Sequence, residues 1–400
     1  MQSSRGNLPI SNVLVLDARQ RSALAVTRSL GQMEGLRVFA ADDSKNALAE
    51  KSRFCFSYDQ YPSISSDMGR FADWLIRFVR VNNIDLVIPI TDLSTQAVLA
   101  LRDDLIPCIV PFADEKTVLS VANKWTLLQV ASRIGVPFPQ SIHVSNGSEV
   151  PEHLPFPYPV VLKPDLSQIP FAGGWIRGAV RIVRNPDELG QITSSDTCFR
   201  GHPFVIQEYI DGHGAGIFAL YDRGRPATFF SHKRIREKPP RGGVSVLSES
   251  APLDPQIVDL TRRLLDEVHW HGVAMVEFRV SESGIPYLME VNTRFWGSLQ
   301  LAIDSGIDFP AMLIRLCRGE AIAQVDYKKG QRLRWLLGDL DNLIITIRDN
   351  ENYSRLQKAR ALLSFVTPQP FSTRHEVNRW EDLRPALYEL REYVAALLAD

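Results

Sequence analysis

The chain has 400 residues, with 45 Lys and Arg against 46 Asp and Glu and a formal net charge of −1 at pH 7. That length exceeds what one hydrophobic core organises, so two or three domains are expected, and the near balance of charge removes any whole-chain attraction to nucleic acid or an anionic membrane. Cys55, Cys108, Cys198 and Cys317 are scattered without C-x-x-C spacing, which argues against a zinc site or disulfide framework; with no signal-peptide plan and no apolar run of spanning length, a cytoplasmic location is expected.

After a polar start, residues 12–17 read as a buried strand and residues 22–30 as an amphipathic helix stopped at Gly31. A second strand, 36–40, ends in Asp42-Asp43, and a helix around 71–81 leads into an apolar strand at 84–90. Strand and helix alternate to Ile109, which predicts a parallel sheet with helices packed on it. Ligands in such sheets gather at the carboxyl ends of strands, which selects Asp17, Arg19, Thr91 and Asp92. Each of these serves equally well as a helix cap or turn residue. The first βα turn lacks G-x-G-x-x-G, and no G-x-x-x-x-G-K-[ST] occurs, so neither a dinucleotide fingerprint nor a P-loop is expected.

Residues 116–134 read as one long helical region, stopped by Gly135-Val136-Pro137. A proline-rich connector at 151–159 precedes a strand, 159–164, that ends near Lys163. A loop with Gly173, Gly174 and Gly178 follows, then strands at 179–183 and 204–210; the latter runs into Asp211-Gly212-His213-Gly214-Ala215-Gly216. Asp254-Pro255 is a strong helix start, and Ile257, Leu260, Leu264, Leu265 and Val268 behind it have core spacing.

Residues 273–280 and 285–292 alternate like strands around the polar turn Ser281-Glu282-Ser283-Gly284. A four-residue loop would pair Val280 with Ile285 and set Glu277 opposite Leu288. Alternation then puts Glu277, Glu290 and Asn292 on one face and Ala274, Val276, Phe278 and Val280 on the other. Two crowded carboxylates repel unless one protonates or a cation sits between them, and an all-oxygen trio suits Mg²⁺. A solvated acidic hairpin is the competing reading. From about residue 325 the chain reads as helical, through 332–347 and 384–398.

The order of Lys124, V-V-L-K-P at Lys163, Q-E-Y-I at residues 207–210, M-V-E-F at Glu277 and M-E-V-N-T-R at residues 289–294 resembles the ATP-grasp superfamily. The likeness covers roughly residues 12–320 and is nearest the carboxylate–amine ligase and carbamoyl-phosphate-synthase-like branch, with its biotin carboxylase-like core. It implies a mixed α/β architecture (α+β in the central part). A Rossmann-like pre-ATP-grasp domain would occupy residues 1–115 and an ATP-grasp domain residues 116–325. The latter would divide into a lid, about 130–205, and a metal-binding core, about 206–325, followed by a helical region at 326–400. ATP would be held by Lys124, Lys163, Gly173, Gly174, Gln207, Glu208, Tyr209, Ile210 and Asp211. In that reading backbone groups of Glu208 and Ile210 face the adenine, and Asp211 stands in for an absent ribose-binding Glu. Glu277, Glu290 and Asn292 would hold Mg²⁺, with Mn²⁺ as an alternative. Arg294, Lys233 and Arg236 would act on the transferring phosphoryl group and acid substrate, with Arg241, Ser245 and Trp296 lining the substrate cavity.

The implied activity joins a small-molecule carboxylate to an amine through an acyl phosphate, with release of ADP and phosphate. A bicarbonate-activating enzyme and a non-catalytic nucleotide-binding module are the alternatives. Neither nucleic acid nor membrane is an expected partner; a homodimer is left open.

Overall fold

The computed structural model describes residues 10–145, 150–171, 174–240, 242–367, 370 and 373–399. Among these residues the strands form four sheets. The first is all parallel: Asn12–Val15 lies between Arg37–Asp42 and Leu86–Ile88, and Ser57–Gln60 flanks Arg37–Asp42. The central strand is buried at every position, as a parallel strand covered on both faces by helices must be. Helices Arg21–Leu30, Met68–Val81 and Asp92–Ala100 alternate with the strands. Asp17 has φ 56°, and its carboxylate accepts the backbone N–H of Ile90 (3.0 Å) and Thr91 (2.9 Å) and the hydroxyl of Tyr61 (3.1 Å). It staples two strand ends together, so its role at the crevice is structural. Thr91 caps the Asp92–Ala100 helix.

The expected long helix at 116–134 is two helices, Glu115–Ala122 and Lys124–Ile134, separated at Asn123. The Asn123 side chain accepts from Thr126 N at 3.0 Å, an N-cap that starts a new helix. Lys124 therefore opens a helix rather than sitting mid-helix. Gly135, at φ 67°, ends it in the left-handed conformation.

The region expected to form a lid contains a small antiparallel sheet. Phe204–Glu208 pairs with Ser141–Val144 and Val160–Pro164, and Val160–Pro164 pairs with Arg181–Val183. It has its own core, built on Val160, Leu162, Phe199, Phe204 and Ile206. The expected glycine loop is a hairpin, Gln168–Phe171 with Gly174–Arg177. A Cβ at Gly174 would lie 2.3 Å from the Ser65 carbonyl oxygen, so glycine is what lets the hairpin rest on the first domain. Gly173 lies outside the described residues.

The largest sheet runs in the order Pro286–Asn292, Gly272–Ser281, Gly212–Asp222, Arg225–Lys238, Val244–Ser250, Arg332–Arg334, Thr373–His375. The glycine-rich stretch at 212–216 is thus the start of a long strand. The last two strands belong to the region expected to be helical, beside helices Leu336–Arg348, Arg355–Val366 and Arg384–Ala399. Three residues each, they are too short to show a period of two. Beyond them, residues 376–382 strap back onto the first domain, where Arg28 bonds the Asp382 carboxylate and three backbone carbonyls.

Candidate functional site

The site is built on the hairpin of Gly272–Ser281 and Pro286–Asn292. Val280 pairs with Pro286, one residue later than expected, and Phe278 pairs with Leu288. A bulge at Met289 then adds a second residue, so Glu277 sits directly opposite Glu290. The bulge decides the chemistry. Without it Glu290 would point into the core, because a one-residue slip reverses every side chain beyond it. The opposite face is apolar as expected, with Ala274, Val276 and Phe278 buried.

Asn292 Nδ2 donates to Oε1 of both Glu277 (3.2 Å) and Glu290 (3.3 Å). Burial, with the charge of Glu290 second, pushes the Glu277 carboxyl above its ordinary range, although Arg234 opposes the shift. The donor set fits a hard divalent cation: two opposed carboxylates, each with unused acceptor capacity, beside an amide that presents oxygen when turned over. Arg294 donates to Asp92 (3.1 and 3.3 Å) and from Nη2 to Asn292 Oδ1 at 3.2 Å, which ties the strand Pro286–Asn292 to the helix Asp92–Ala100. Burial works against its charge, but Asp92, Glu290 and Glu277 outweigh it and raise its pKa.

Two lysines face this hairpin from the lid side. Lys163 Nζ has Met289 Sδ at 3.7 Å, a weak acceptor for an ammonium. Burial lowers its pKa to about 8, with the Glu290 charge opposing and the Lys124 charge reinforcing. Lys124 reaches Ser167 Oγ at 3.3 Å, and its backbone N–H donates to the Asp165 carbonyl at 2.7 Å. Lys124, Ser167, Glu290, Asn292, Thr293 and Asp92 line one cleft.

A cation that sequence reasoning passed over joins them. Arg234 Nη2 donates to Glu277 Oε2 at 2.8 Å. The strand between them carries glycine on that face, Gly216 beside Glu277 and Gly214 beside Arg279, so no side chain blocks the reach.

Residues 200–338 match the family model described as "ATP-grasp in the biosynthetic pathway with Ter operon". Three solved structures share the architecture. N5-carboxyaminoimidazole synthetase from Staphylococcus aureus has 13% identity and a TM-score of 0.63, over 87% of this chain and 88% of that one. L-amino acid ligase from Bacillus licheniformis has 19% identity and a TM-score of 0.57, over 77% and 74%. The biotin carboxylase domain of Hydrogenobacter thermophilus 2-oxoglutarate carboxylase, in complex with MgADP, ADP and bicarbonate, has 18% identity and a TM-score of 0.59, over 80% and 73%. Over residues 200–338 the chain is similar to the ATP-grasp family, and its fold is shared with these solved structures.

The remaining candidates fall into different places. Gln207 is buried and donates to Ser141 Oγ at 2.9 Å, and the Glu208 N–H is used by the Gln140 carbonyl. The Ile210 carbonyl accepts from Arg279 Nε at 3.2 Å, so this segment is braced by an arginine that the sequence reading overlooked. Tyr209 is half-buried, and the exposed Asp211 turns its carboxylate onto the N–H of Gly212. Lys233 points to the other side of its strand and pairs with Glu249 at 2.6 Å. Arg236 is held by Asp339 (2.7 Å) and Ser364 (2.8 Å) of the C-terminal region. Ser245 sits on the adjoining strand with only a long contact to the Leu247 carbonyl. Trp296 is buried among Phe218, Phe295 and Phe309 and belongs to the core rather than the cavity wall. Arg241 lies outside the described residues. Beside Trp296, the buried Ser298–His232 contact (2.8 Å) involves a neutral imidazole, since burial drives the His232 pKa down to about 3.

Proposed function

We propose that the protein is an ADP-forming ligase that joins a small-molecule carboxylate to an amine. The observation that carries this reading is the Glu277–Glu290 pair, forced into opposition by the Met289 bulge, with Lys124 lining the same cleft as Glu290 and the Lys163 ammonium 3.7 Å from the sulfur of Met289. Such an arrangement serves a polyphosphate whose charge is divided between a divalent cation and lysines. Glu277, Glu290 and Asn292 would hold Mg²⁺, which when bound neutralises phosphate charge. Lys163 and Lys124 would meet the phosphate oxygens, and Arg294 and Arg234 would meet the equatorial oxygens of the transferring phosphoryl group.

A carboxylate oxygen attacks the γ-phosphorus and ADP leaves with the electron pair of the broken P–O bond. The amine nitrogen then attacks the acyl carbon, the C–O bond to phosphate breaks, and the nitrogen loses a proton as phosphate departs. The protein's work is alignment and charge neutralisation, with the lid keeping water from the acyl phosphate. The fold likeness to the Hydrogenobacter domain, crystallised with bicarbonate, supports a second reading in which bicarbonate is the acid.

The test is ADP release from MgATP with pools of carboxylates, with and without amines, and with hydroxylamine to trap an acyl phosphate as its hydroxamate. Amine-dependent release and hydroxamate formation are expected; release with bicarbonate alone would transfer the assignment to the second reading. Glu290→Gln is expected to keep the far-UV dichroism of the native chain and to lose turnover by about a hundredfold or more, as removal of a key charge-stabilising group does. Full turnover in that variant would remove the metal assignment.

A further inference from the structure

Arg21 opens the first helix of the chain, at the carboxyl end of the parallel sheet. Its guanidinium lies 3.7 Å from the ring centre of Trp335, a residue of the C-terminal region. The ring is fixed at several points. Its indole N–H donates to Glu389 at 2.8 Å, and Gly338 leaves room for it, since a Cβ there would come within 2.0 Å of the ring. Arg21 Nη1 pairs with Glu376, whose side chain is buried. Nη2 is turned the other way: among the described residues no hydrogen bond reaches it, and it lies 3.6 Å from where a Cβ on Gly297 would stand. Gly297 follows Arg294 by three residues in the loop leaving the metal strand. A second cation, Lys238 Nζ, sits 5.3 Å from the same ring and pairs with Asp341.

This is a cation locked in place by stacking and one carboxylate, with a donor edge still open toward the reaction loop. An arginine held in this way is suited to a planar carboxylate, whereas a mobile lysine would lose more freedom on binding. The position is also the strand-end crevice where ligands of open α/β sheets collect. The reacting acid must lie at the transferring phosphoryl group, beside Arg294 and Arg234, which leaves the Arg21 edge for the other substrate.

We propose that Arg21, seated on Trp335, binds a carboxylate carried by the amine substrate, which makes the acceptor an amino acid or a close relative. This rests on the ligase reading above. It adds a binding group from the first domain and gives the C-terminal region a purpose, since Trp335 and Glu376 set the direction of the guanidinium.

The experiment compares the standard amino acids, as amine substrates, with the same amines as their carboxamides, using the full chain and MgATP. The wild-type protein is expected to show a KM for the amino acid roughly 10–100-fold below that for the carboxamide, the range of a charge-assisted hydrogen-bonded contact. Arg21→Gln alone would strand Glu376, so the paired variant Arg21→Gln with Glu376→Gln keeps the latch neutral. In it the preference is expected to fall to within about twofold, with the KM for ATP as internal control. A purely structural role would shift both amine classes equally, and that result overturns the proposal. A loss confined to the KM of the acid would overturn it too, by moving the anchor to the other substrate. ADP release with an undiminished preference in the variant sinks the anchor alone, whereas no ADP release from the wild-type protein with any pool sinks the ligase reading with it.

Discussion

Lys163→Met is expected to make the protein more stable and to cost it its nucleotide. The lysine is half-buried on the lid sheet, and the contact recorded for its ammonium is a thioether sulfur. Burial lowers its pKa from 10.5 to about 8, against the pull of Glu290. A charge held there without a full partner is a cost to folding, and replacing it by a side chain of similar length is expected to raise stability by about 1–2 kcal/mol. In the proposed reading the same substitution removes a phosphate contact, and ATP binding should weaken by roughly one to two orders of magnitude. The pH dependence has a definite sign. Between about 8 and 10.5 the unfolded chain holds a proton on Lys163 that the folded chain has lost, so folding stability rises with pH across that window. The variant should lack that contribution. ATP affinity of the wild-type protein should fall over the same range, because binding needs the ammonium. Denaturant titrations and equilibrium nucleotide binding at pH 7 and pH 9.5 measure both; a variant that is destabilised yet keeps ATP would contradict the placement of Lys163. Stability given up for a poised charge is a common pattern at functional sites.

The hairpin shows how far sequence could go. Alternation in residues 273–280 and 285–292 put Glu277, Glu290 and Asn292 on one face, and the structure agrees. Yet the pairing was displaced twice, once at the turn and once at the Met289 bulge. Two one-residue shifts restore the parity, so the face survived while the partner changed from Leu288 to Glu290. A bulge has no signature in a pattern of period two, because it is the place where the period breaks. Motif order selected Lys124 and Lys163 as candidates, but did not show the helix start at Asn123, which depends on a single side-chain cap. The basic run around residues 232–238 was legible as charge. Its division was not: Arg234 goes to Glu277, Lys233 to Glu249 and Arg236 to Asp339, according to strand parity and two irregularities between Arg234 and Glu237. Contacts across hundreds of residues, such as Arg21 with Glu376 and Arg294 with Asp92, leave no trace in local composition.

Arg28→Ala is expected to be the most damaging single change to stability, about 3–5 kcal/mol, although Arg28 lies outside the cleft lined by Lys124 and Glu290. Arg28 is 6% exposed. Its Nε meets Asp382 Oδ2 at 2.8 Å, Nη1 donates to the Glu376 carbonyl at 2.9 Å, and Nη2 donates to the carbonyls of Val377 (2.9 Å) and Asp382 (3.1 Å). Removing it leaves those carbonyls and one carboxylate buried with fewer donors. Asp382 keeps Ser52 Oγ and the Arg53 N–H, so it would not be fully orphaned. The strap also grips the central domain, through Arg379 on Asp304. Loosening residues 376–382 should therefore release the first domain from the sheet that carries the metal hairpin. The expected readouts are a lower denaturation midpoint and faster proteolysis of the C-terminal region. Arg28→Met with Asp382→Leu should be less harmful than Arg28→Ala, because a buried ion pair replaced by apolar groups loses less than one broken in half. If the double variant were the worse of the two, hydrogen bonds to the backbone carbonyls rather than the ion pair would be holding the strap. Because Glu376 belongs to the strap and orients Arg21, a weakened strap should also blur the preference for carboxylate-bearing amines before it abolishes turnover.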